Sequence, residues 1–559
     1  MNFKHTTLPE ICAAHDVRHF IISPGSRSAP LTIALARHAD ISVRMVVDER
    51  AAAFIALGMA QQLRAPVGLV CTSGTAALNF APAIAEAFYQ RIPLLILTAD
   101  RPPEWIDQQD GQTLHQQNLY APHSRGEFEL PVDTTHPDAA RHAERILSEA
   151  ILRTQTPVPG PVHINVPLRE PLYPAPGERP PPAPHPAVIR LSPAQKTIAP
   201  AEMDSLQQMW QAAQKKLVVA GLHPPAGETA AALRALSADP TVAVVADITA
   251  NVPPDAVTAP HADIIFSGKN VPAPDLVVSF GGAVVSKSLK LFLRRRRPAE
   301  HWHIDPAAQP VDTFQSLTRV IAADAAPFLH ALAEHPAPDG NYRAQWQAAE
   351  QRAVVALENF LAQADFGEFT AVQSVLAQLP AGANLHLGNS MPVRYANYLT
   401  LPRADVSVNA NRGVSGIDGC TGTAVGAALA TGRPTVLISG DLAFFYDRNS
   451  LWHAHLPQNL RIVVLNNGGG GIFKLIDGPS NLPPAELETY FFTPHRLRAH
   501  NTAADFGLAY FSADSASALT NILPQFFAAD TGTAILEIFT NSDVNAEIFK
   551  LFKNFIRIA

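Results

Sequence analysis

Cysteine is nearly missing: three residues in 559 (Cys12, Cys71, Cys420), far apart. That spacing builds neither a disulfide framework nor a zinc signature, and the scarcity fits a reducing compartment. Charge is thin, at 16% of residues against 47% hydrophobic, which excludes a disordered chain and fits a folded one. No positive excess exists. The formal charge is −7, which argues against general binding to nucleic acid or an anionic membrane. No apolar run approaches the roughly 18 residues that span a bilayer, and the N-terminus lacks a basic-then-apolar leader. A cytoplasmic protein without a membrane span is expected.

Punctuation, by contrast, is plentiful. With 49 Pro and 31 Gly in a chain too long for one core, about three loop-rich domains of roughly 150 residues are expected. Residues 1–180 alternate short apolar runs (19–23, 43–47, 67–71, 94–98) with helical stretches (31–38, 51–63, 76–89). Strands of that kind predict a parallel sheet covered on both faces. Residues 174–200, with the proline-rich PAPGERPPPAPHP, read as an extended linker. A second αβ block, 190–338, has strands expected at 217–220, 242–246, 276–280 and 301–304. It has fewer polar strand ends and reads as a spacer. A third block, 345–559, has the same strand–turn–helix rhythm as the first. The fold class is therefore α/β, with three doubly wound parallel-sheet domains. No internal repeat can be asserted from the residues.

The most specific stretch is Gly440 to Gly471. An apolar strand ends in Gly440-Asp441, a helical segment follows, and a second strand ends in Asn466-Asn467 before four glycines. Gly440 to Asn467 spans 28 residues. In a βαβ unit, ligands sit beyond the carboxyl ends of the strands. Asp441 and Asn467 then become adjacent oxygen ligands, suited to Mg²⁺ together with phosphate oxygens. The glycines let backbone approach an anion, and one of them can offer a carbonyl to the metal. Helix capping is the bland alternative for a lone Gly-Asp, but it does not explain the paired motif.

Gly-Asp followed by Asn-Asn at this spacing resembles the fingerprint of thiamine-diphosphate enzymes. The resemblance narrows through Ile22–Leu31, Val47–Arg50, Thr72–Ala76, Thr98–Glu104, Gly388–Ser390, Asn411–Gly413 and Ser415–Gly419. Together these look like the 2-succinyl-5-enolpyruvyl-6-hydroxy-3-cyclohexene-1-carboxylate synthase family of the menaquinone pathway. The likeness covers the first and third blocks, with weaker support in the middle.

The resemblance implies a transferase that decarboxylates 2-oxoglutarate on thiamine diphosphate with Mg²⁺ (or Mn²⁺). The succinyl unit then adds to isochorismate by conjugate addition, without release of pyruvate. It implies pyrimidine-binding (1–180), middle and diphosphate-binding (345–559) domains. Glu49 holds the aminopyrimidine; Asp441, Asn467 and Gly469 hold the metal; Gly440, Leu442, Ala443, Ser390 and Ile417 contact the cofactor. Both substrates carry two carboxylates, which Arg27, Arg101, Arg394 and Arg412, read as strand-end residues, suit through the planar guanidinium fork. Arg27, Arg394 and Arg412 are the catalytic arginines on this reading. Ser26, Gln112, Lys287, Ser390, Ile472 and Phe473 complete the substrate contacts. Ser288 stands where a second middle-domain base is expected. The Arg294–Arg297 run reads as a solvated face, with an anion site as the sharper alternative. None of the 21 histidines is assigned. Glu49 and Asp441 are expected to meet between subunits, so a homodimer is the minimum and a tetramer is plausible. The rival readings are an acetolactate-synthase-like enzyme, whose substrates carry fewer carboxylates, and a non-catalytic scaffold.

Overall fold

Apolar segments of four to seven residues, separated by helices, leave backbone polar groups no partner except a neighbouring strand. They accordingly pair into parallel sheets. The computed structural model describes residues 3–174, 186–192, 196–268, 270–401, 403–476 and 478–558. Of the expected linker, 174–200, residues 175–185 and 193–195 lie outside the described residues.

The first sheet holds β1 (His19–Ile22), β2 (Ser42–Met45), β3 (Val67–Cys71), β4 (Leu94–Asp100), β5 (Glu127–Glu129) and β6 (Pro161–Pro167), in the order β2-β1-β3-β4-β6-β5. The middle sheet holds β7 (Lys216–Ala220), β8 (Val242–Ala246), β9 (Leu276–Phe280), β10 (Glu300–Ile304) and β11 (Arg319–Ile321), in the order β11-β10-β9-β7-β8. The third holds β12 (Asn384–Leu387), β13 (Ser407–Asn409), β14 (Thr435–Gly440), β15 (Leu460–Asn466), β16 (Ala509–Ala513) and β17 (Ala534–Phe539), in the order β13-β12-β14-β15-β17-β16. Representative pairs in all three sheets, β1 with β3, β7 with β9 and β12 with β14, are parallel.

Numbered within its own domain, each six-stranded sheet runs 2-1-3-4-6-5, so the first and third domains repeat one topology. The residues conceal this repeat because buried strand positions accept any β-branched or aliphatic side chain. Strands β5, β6, β11, β16 and β17 were not among those expected. β6 begins and ends on proline, which reads as a turn signal, and β5 and β11 have only three residues each.

The two repeating sheets are joined by an unusually close helix pair. Helix Glu49–Leu63 presents buried Ala52, Ala53, Ala56 and Ala60, and helix Cys420–Ala430 is made of small residues apart from Val425 and Leu429. A Cβ on Gly58 would lie 2.0 Å from the Thr423 carbonyl oxygen, and one on Gly426 the same 2.0 Å from that of Ile55. The middle and third domains share a core in which helix Tyr342–Leu361 meets helix Ser542–Ile558, with Phe360 and Phe552 ring centroids 5.2 Å apart. No helix among the described residues is long and apolar enough to cross a membrane.

Gly426→Ala should therefore push the helix pair apart and destabilise the chain by about 1–3 kcal/mol, despite alanine's better helix propensity. Thermal unfolding followed by near-ultraviolet circular dichroism reads this; an unchanged midpoint would disprove the close approach.

Candidate active site

Strands β14 and β15 are neighbours, with Gly440 opposite Leu465, so Asp441 and Asn467 emerge side by side at their carboxyl ends. Asp441 opens helix Asp441–Tyr446 and is buried. Its Oδ2 accepts the backbone N–H groups of Asn467 (3.1 Å), Gly468 (2.9 Å) and Gly469 (3.1 Å). Gly468 has φ +81°, the left-handed conformation that glycine takes without a steric cost. Burial raises the Asp441 carboxyl, opposed by backbone hydrogen bonds and by His495, whose Nε2 is 3.3 Å away.

Asn467 donates Nδ2 to Glu368 at 2.6 Å, which turns the amide oxygen to the other side, where it accepts Gly469 N–H at 3.1 Å. Glu368 is itself buried, and burial pushes its carboxyl up to about 7. Among the described residues no three His, Cys, Asp or Glu side chains form a metal cluster. A cation here would depend on a carboxylate, an amide oxygen and a loop carbonyl, the hard oxygen donors that Mg²⁺ takes with phosphate. A Cβ on Gly440 would touch nothing within 4 Å, so there is room beside Asp441. The residues fit a metal–diphosphate group.

A second cluster adjoins it. Asn389, after β12, donates Nδ2 to the carbonyls of Asn411 and Gly416, each at 2.7 Å, and accepts from Arg412 Nη1 at 2.9 Å. Three stretches that the sequence singles out are thus tied by one amide. Ser390 adopts φ 77°, ψ −124°, a strained backbone that costs a non-glycine residue about 1–3 kcal/mol. Its carbonyl accepts from Arg394. Arg394 lies in helix Met391–Leu399, not at a strand end as expected; its helix follows β12 closely enough to bring it to the same edge. Burial lowers both Arg394 and Arg412, and Arg394 lowers Arg412 further. The Nε of Arg412 is buried without a partner.

The first sheet carries another pair of cations. Arg27 donates to the Leu168 carbonyl at 3.0 Å, and its Nε is buried without a partner. Burial and then Arg101 lower its guanidinium. Arg101 bonds Asp110 (2.9 Å), the Gln112 carbonyl (3.2 Å) and Ser73 Oγ. Ser26 is exposed and pairs with the Tyr173 hydroxyl at 3.1 Å. Gln112 is also exposed. Glu49 is half-exposed at the start of its helix, four residues beyond β2, without a hydrogen bond or ion pair among the described residues. Within one chain no hydrogen bond or ion pair among the described residues joins the Arg27–Arg101 pair to the Asp441 loop.

Of the remaining expected contacts, Leu442 and Ala443 follow Asp441 in its helix, and Ile417 is exposed. Ile472 and Phe473 begin helix Ile472–Leu475; Ile472 packs on the core and Phe473 on Phe491. Lys287 is exposed, and Ser288 spends its hydroxyl on Ser267 at 2.9 Å. Arg294 caps the Thr313 carbonyl at 3.0 Å, while Arg295 and Arg296 are exposed, which agrees with a solvated face. Sequence reasoning missed Glu368 and Lys290. Glu368 sits 99 residues before Asn467, and no local signal could connect them. Lys290 could have been noticed only as the i+3 neighbour of Lys287.

Three family models match in series: the thiamine pyrophosphate enzyme N-terminal TPP binding domain (5–119), the middle domain of thiamine pyrophosphate (191–387) and the C-terminal TPP binding domain (391–538). The fold and the paired strand-end motif define a thiamine-pyrophosphate enzyme. A Cytophaga hutchinsonii 2-succinyl-5-enolpyruvyl-6-hydroxy-3-cyclohexene-1-carboxylate synthase is 42% identical, covering 98% of both chains. Proteins of the same name from Desulfotalea psychrophila (41%, covering 95% of this chain and 97% of that one) and Porphyromonas gingivalis (36%, 99% and 96%) are also similar. The chain belongs to the family of these synthases.

At the seam between the middle and third domains, Asp247 follows β8 and accepts backbone N–H groups from Val285 and Ser286. Burial, and then Asp263, pushes its carboxyl from 3.8 up to about 7. A carboxyl raised on folding stabilises fully below its unfolded value and loses that contribution as pH rises through the folded one. Stability of the protein without cofactor should therefore fall between about pH 4 and pH 7. Asp247→Asn should flatten that fall, read as denaturant midpoint against pH; parallel profiles for the two proteins would refute the assignment.

Proposed function

We propose that this chain decarboxylates 2-oxoglutarate and transfers the succinyl unit to isochorismate, forming 2-succinyl-5-enolpyruvyl-6-hydroxy-3-cyclohexene-1-carboxylate in menaquinone biosynthesis. The observation that carries this reading is the pair of half-buried guanidinium groups, Arg27 and Arg412, whose buried Nε atoms lack a partner among the described residues, just beyond strands of two domains. A desolvated N–H of this kind is relieved when an anion arrives to accept from it. Two dicarboxylate substrates match four arginines better than a monocarboxylate such as pyruvate does.

Thiamine diphosphate, when bound, supplies the electron sink for decarboxylation. Asp441, Asn467 and the Gly469 carbonyl would hold its diphosphate through Mg²⁺ or Mn²⁺, with Gly440, Leu442 and Ala443 beside it. Glu49 would hold a proton at the pyrimidine ring, and Ile417 would support the cofactor from the apolar side. Arg394, Arg412 and Ser390 bind one substrate carboxylate. Arg27, Arg101, Ser26 and Gln112 bind the other substrate, with Lys287, Ile472 and Phe473 around it. We also propose a homodimer, or a tetramer built from dimers, since Glu49 and the Arg27–Arg101 pair would complete the Asp441 site of a second copy. Exposed Val47, Val414, Ile417, Tyr446 and Trp452 support a covered face. Three free buried cysteines suit the cytoplasm.

Product formation from 2-oxoglutarate plus isochorismate, compared with pyruvate alone, tests the reaction; turnover of pyruvate only would sink it. Glu49→Gln should keep the fold and slow exchange of the C2 proton of bound cofactor by about 10²–10⁴-fold; a near-normal exchange rate removes Glu49 from the mechanism. Asp441→Ala should weaken Mg²⁺-dependent cofactor binding by about 10–100-fold, and unchanged affinity by calorimetry would rule out the ligand assignment.

A further inference from the structure

The middle domain brings a cation of its own to the arginines of the third. Helix Lys287–Arg296 is held at its start by two carboxylates. Asp247 accepts from the backbone of Val285 and Ser286, and Asp263 accepts from the Ser286 hydroxyl. Asn397, on the helix that carries Arg394, clamps the same region: its Nδ2 donates to Asp263 at 3.1 Å and its Oδ1 accepts from Ile248 N–H at 2.9 Å. The first turn of the middle-domain helix is thereby fixed against the Arg394 helix.

Lys290 stands on that turn, half-buried. Its ammonium donates to the Val284 carbonyl at 2.9 Å, which uses one of its three donors. Arg412, Arg294 and Arg394 act on it as like charges, and Asp247 is the opposing one. Burial and these arginines lower the ammonium. Asp247 is a weak counter-charge, since its own carboxyl is raised to about 7, and Asp263 is raised as well. Four cations, Lys290, Arg294, Arg394 and Arg412, therefore meet Asp247, Asp263 and Glu86 as the opposing charges, two of them raised carboxyls, and Arg412 Nε still lacks an acceptor among the described residues. In a partly desolvated setting that imbalance favours an incoming anion.

Position matters along this helix. Residues 287 and 290, three apart, share a face, whereas 288 does not. Ser288 turns to Ser267 inside its own domain.

Resting on the reaction proposed above, we propose that Lys290 is a substrate-binding residue whose ammonium, with Arg394 and Arg412, closes around one carboxylate of a dicarboxylate substrate. The middle domain is then part of the active site.

The test uses the full chain loaded with thiamine diphosphate and Mg²⁺, with glutarate as an unreactive dicarboxylate probe. Lys290→Gln should weaken glutarate binding about tenfold or more by calorimetry, the loss expected for a charged hydrogen bond. It should raise KM for one substrate by a similar factor, with kcat within about threefold, while cofactor affinity stays unchanged. A rise confined to 2-oxoglutarate assigns Lys290 to the donor, and one confined to isochorismate assigns it to the acceptor. Lys290→Arg should restore most of the binding. Arg295→Gln, an equal charge change on the exposed face of the same helix, should alter none of these. Lys290→Met gives the same reading if the glutamine variant does not fold. Glutarate binding and both KM values unmoved in a folded variant overturn the proposal. If the wild type fails to join the two substrates while glutarate binding still depends on Lys290, the reaction falls and this assignment stands.

Discussion

One carboxylate oxygen organises the third domain. Asp441 Oδ2 gathers three consecutive backbone N–H groups from the loop after β15, so the loop's shape is set by a side chain on the neighbouring strand end. Gly468 takes the left-handed conformation this turn needs, and a Cβ on Gly469 or Gly470 would meet the Phe492 or Phe491 carbonyl at 2.5 or 2.9 Å. Asn467 is then aimed by Glu368, whose buried carboxyl leaves the amide only one satisfied orientation. The strand-end carboxylate and amide are thus held in place by hydrogen bonds within the chain, more than the capping of one short helix requires.

Charge does the complementary work at the rim. Arg27 with Arg101, and Arg394 with Arg412, are like-charged neighbours; burial lowers Arg27, Arg394 and Arg412, Arg101 lowers Arg27 further, and Arg394 lowers Arg412 further. Such pairs are costly in the fold unless something anionic relieves them. Their acceptors are mostly neutral: the Leu168 and Ser390 carbonyls and the Asn389 amide. Arg101 is tied to Asp110 at 2.9 Å, and Arg27 faces the exposed carboxylate of Glu170 at 3.8 Å. Neutral hydrogen-bond acceptors leave the positive charge of Arg394 and Arg412 available to a carboxylate.

Much of this was legible in the residues, for a physical reason. Parallel sheets buried on both faces force polar groups to the strand ends, so Gly440-Asp441, Asn466-Asn467, Gly388-Asn389-Ser390 and Asp100-Arg101 stand out against apolar runs. Glu368 and Lys290 were not legible, since each acts through partners distant in sequence and each sits near a helix start where a charged residue has an ordinary explanation. The strand β6 was hidden by its terminal prolines. Ser390's strained backbone had no signature at all, because serine normally avoids φ near +77°.

The repeated strand order carries a last consequence. Helices Glu49–Leu63 and Cys420–Ala430 occupy matching places in the two sheets, each following its domain's second strand, and they pack with glycine on both sides of the contact. The contacts around them match in the same way. Arg50 donates to the Tyr446 carbonyl and Asn449 to Asp48, while Gly413 and Val414 donate to Glu86. Each domain's second strand–helix junction therefore rests on the other domain. Glu49, at the start of one of these helices, is half-exposed and its side chain has no hydrogen bond or ion pair among the described residues, so this close packing fixes the helix start while leaving its carboxylate uncommitted.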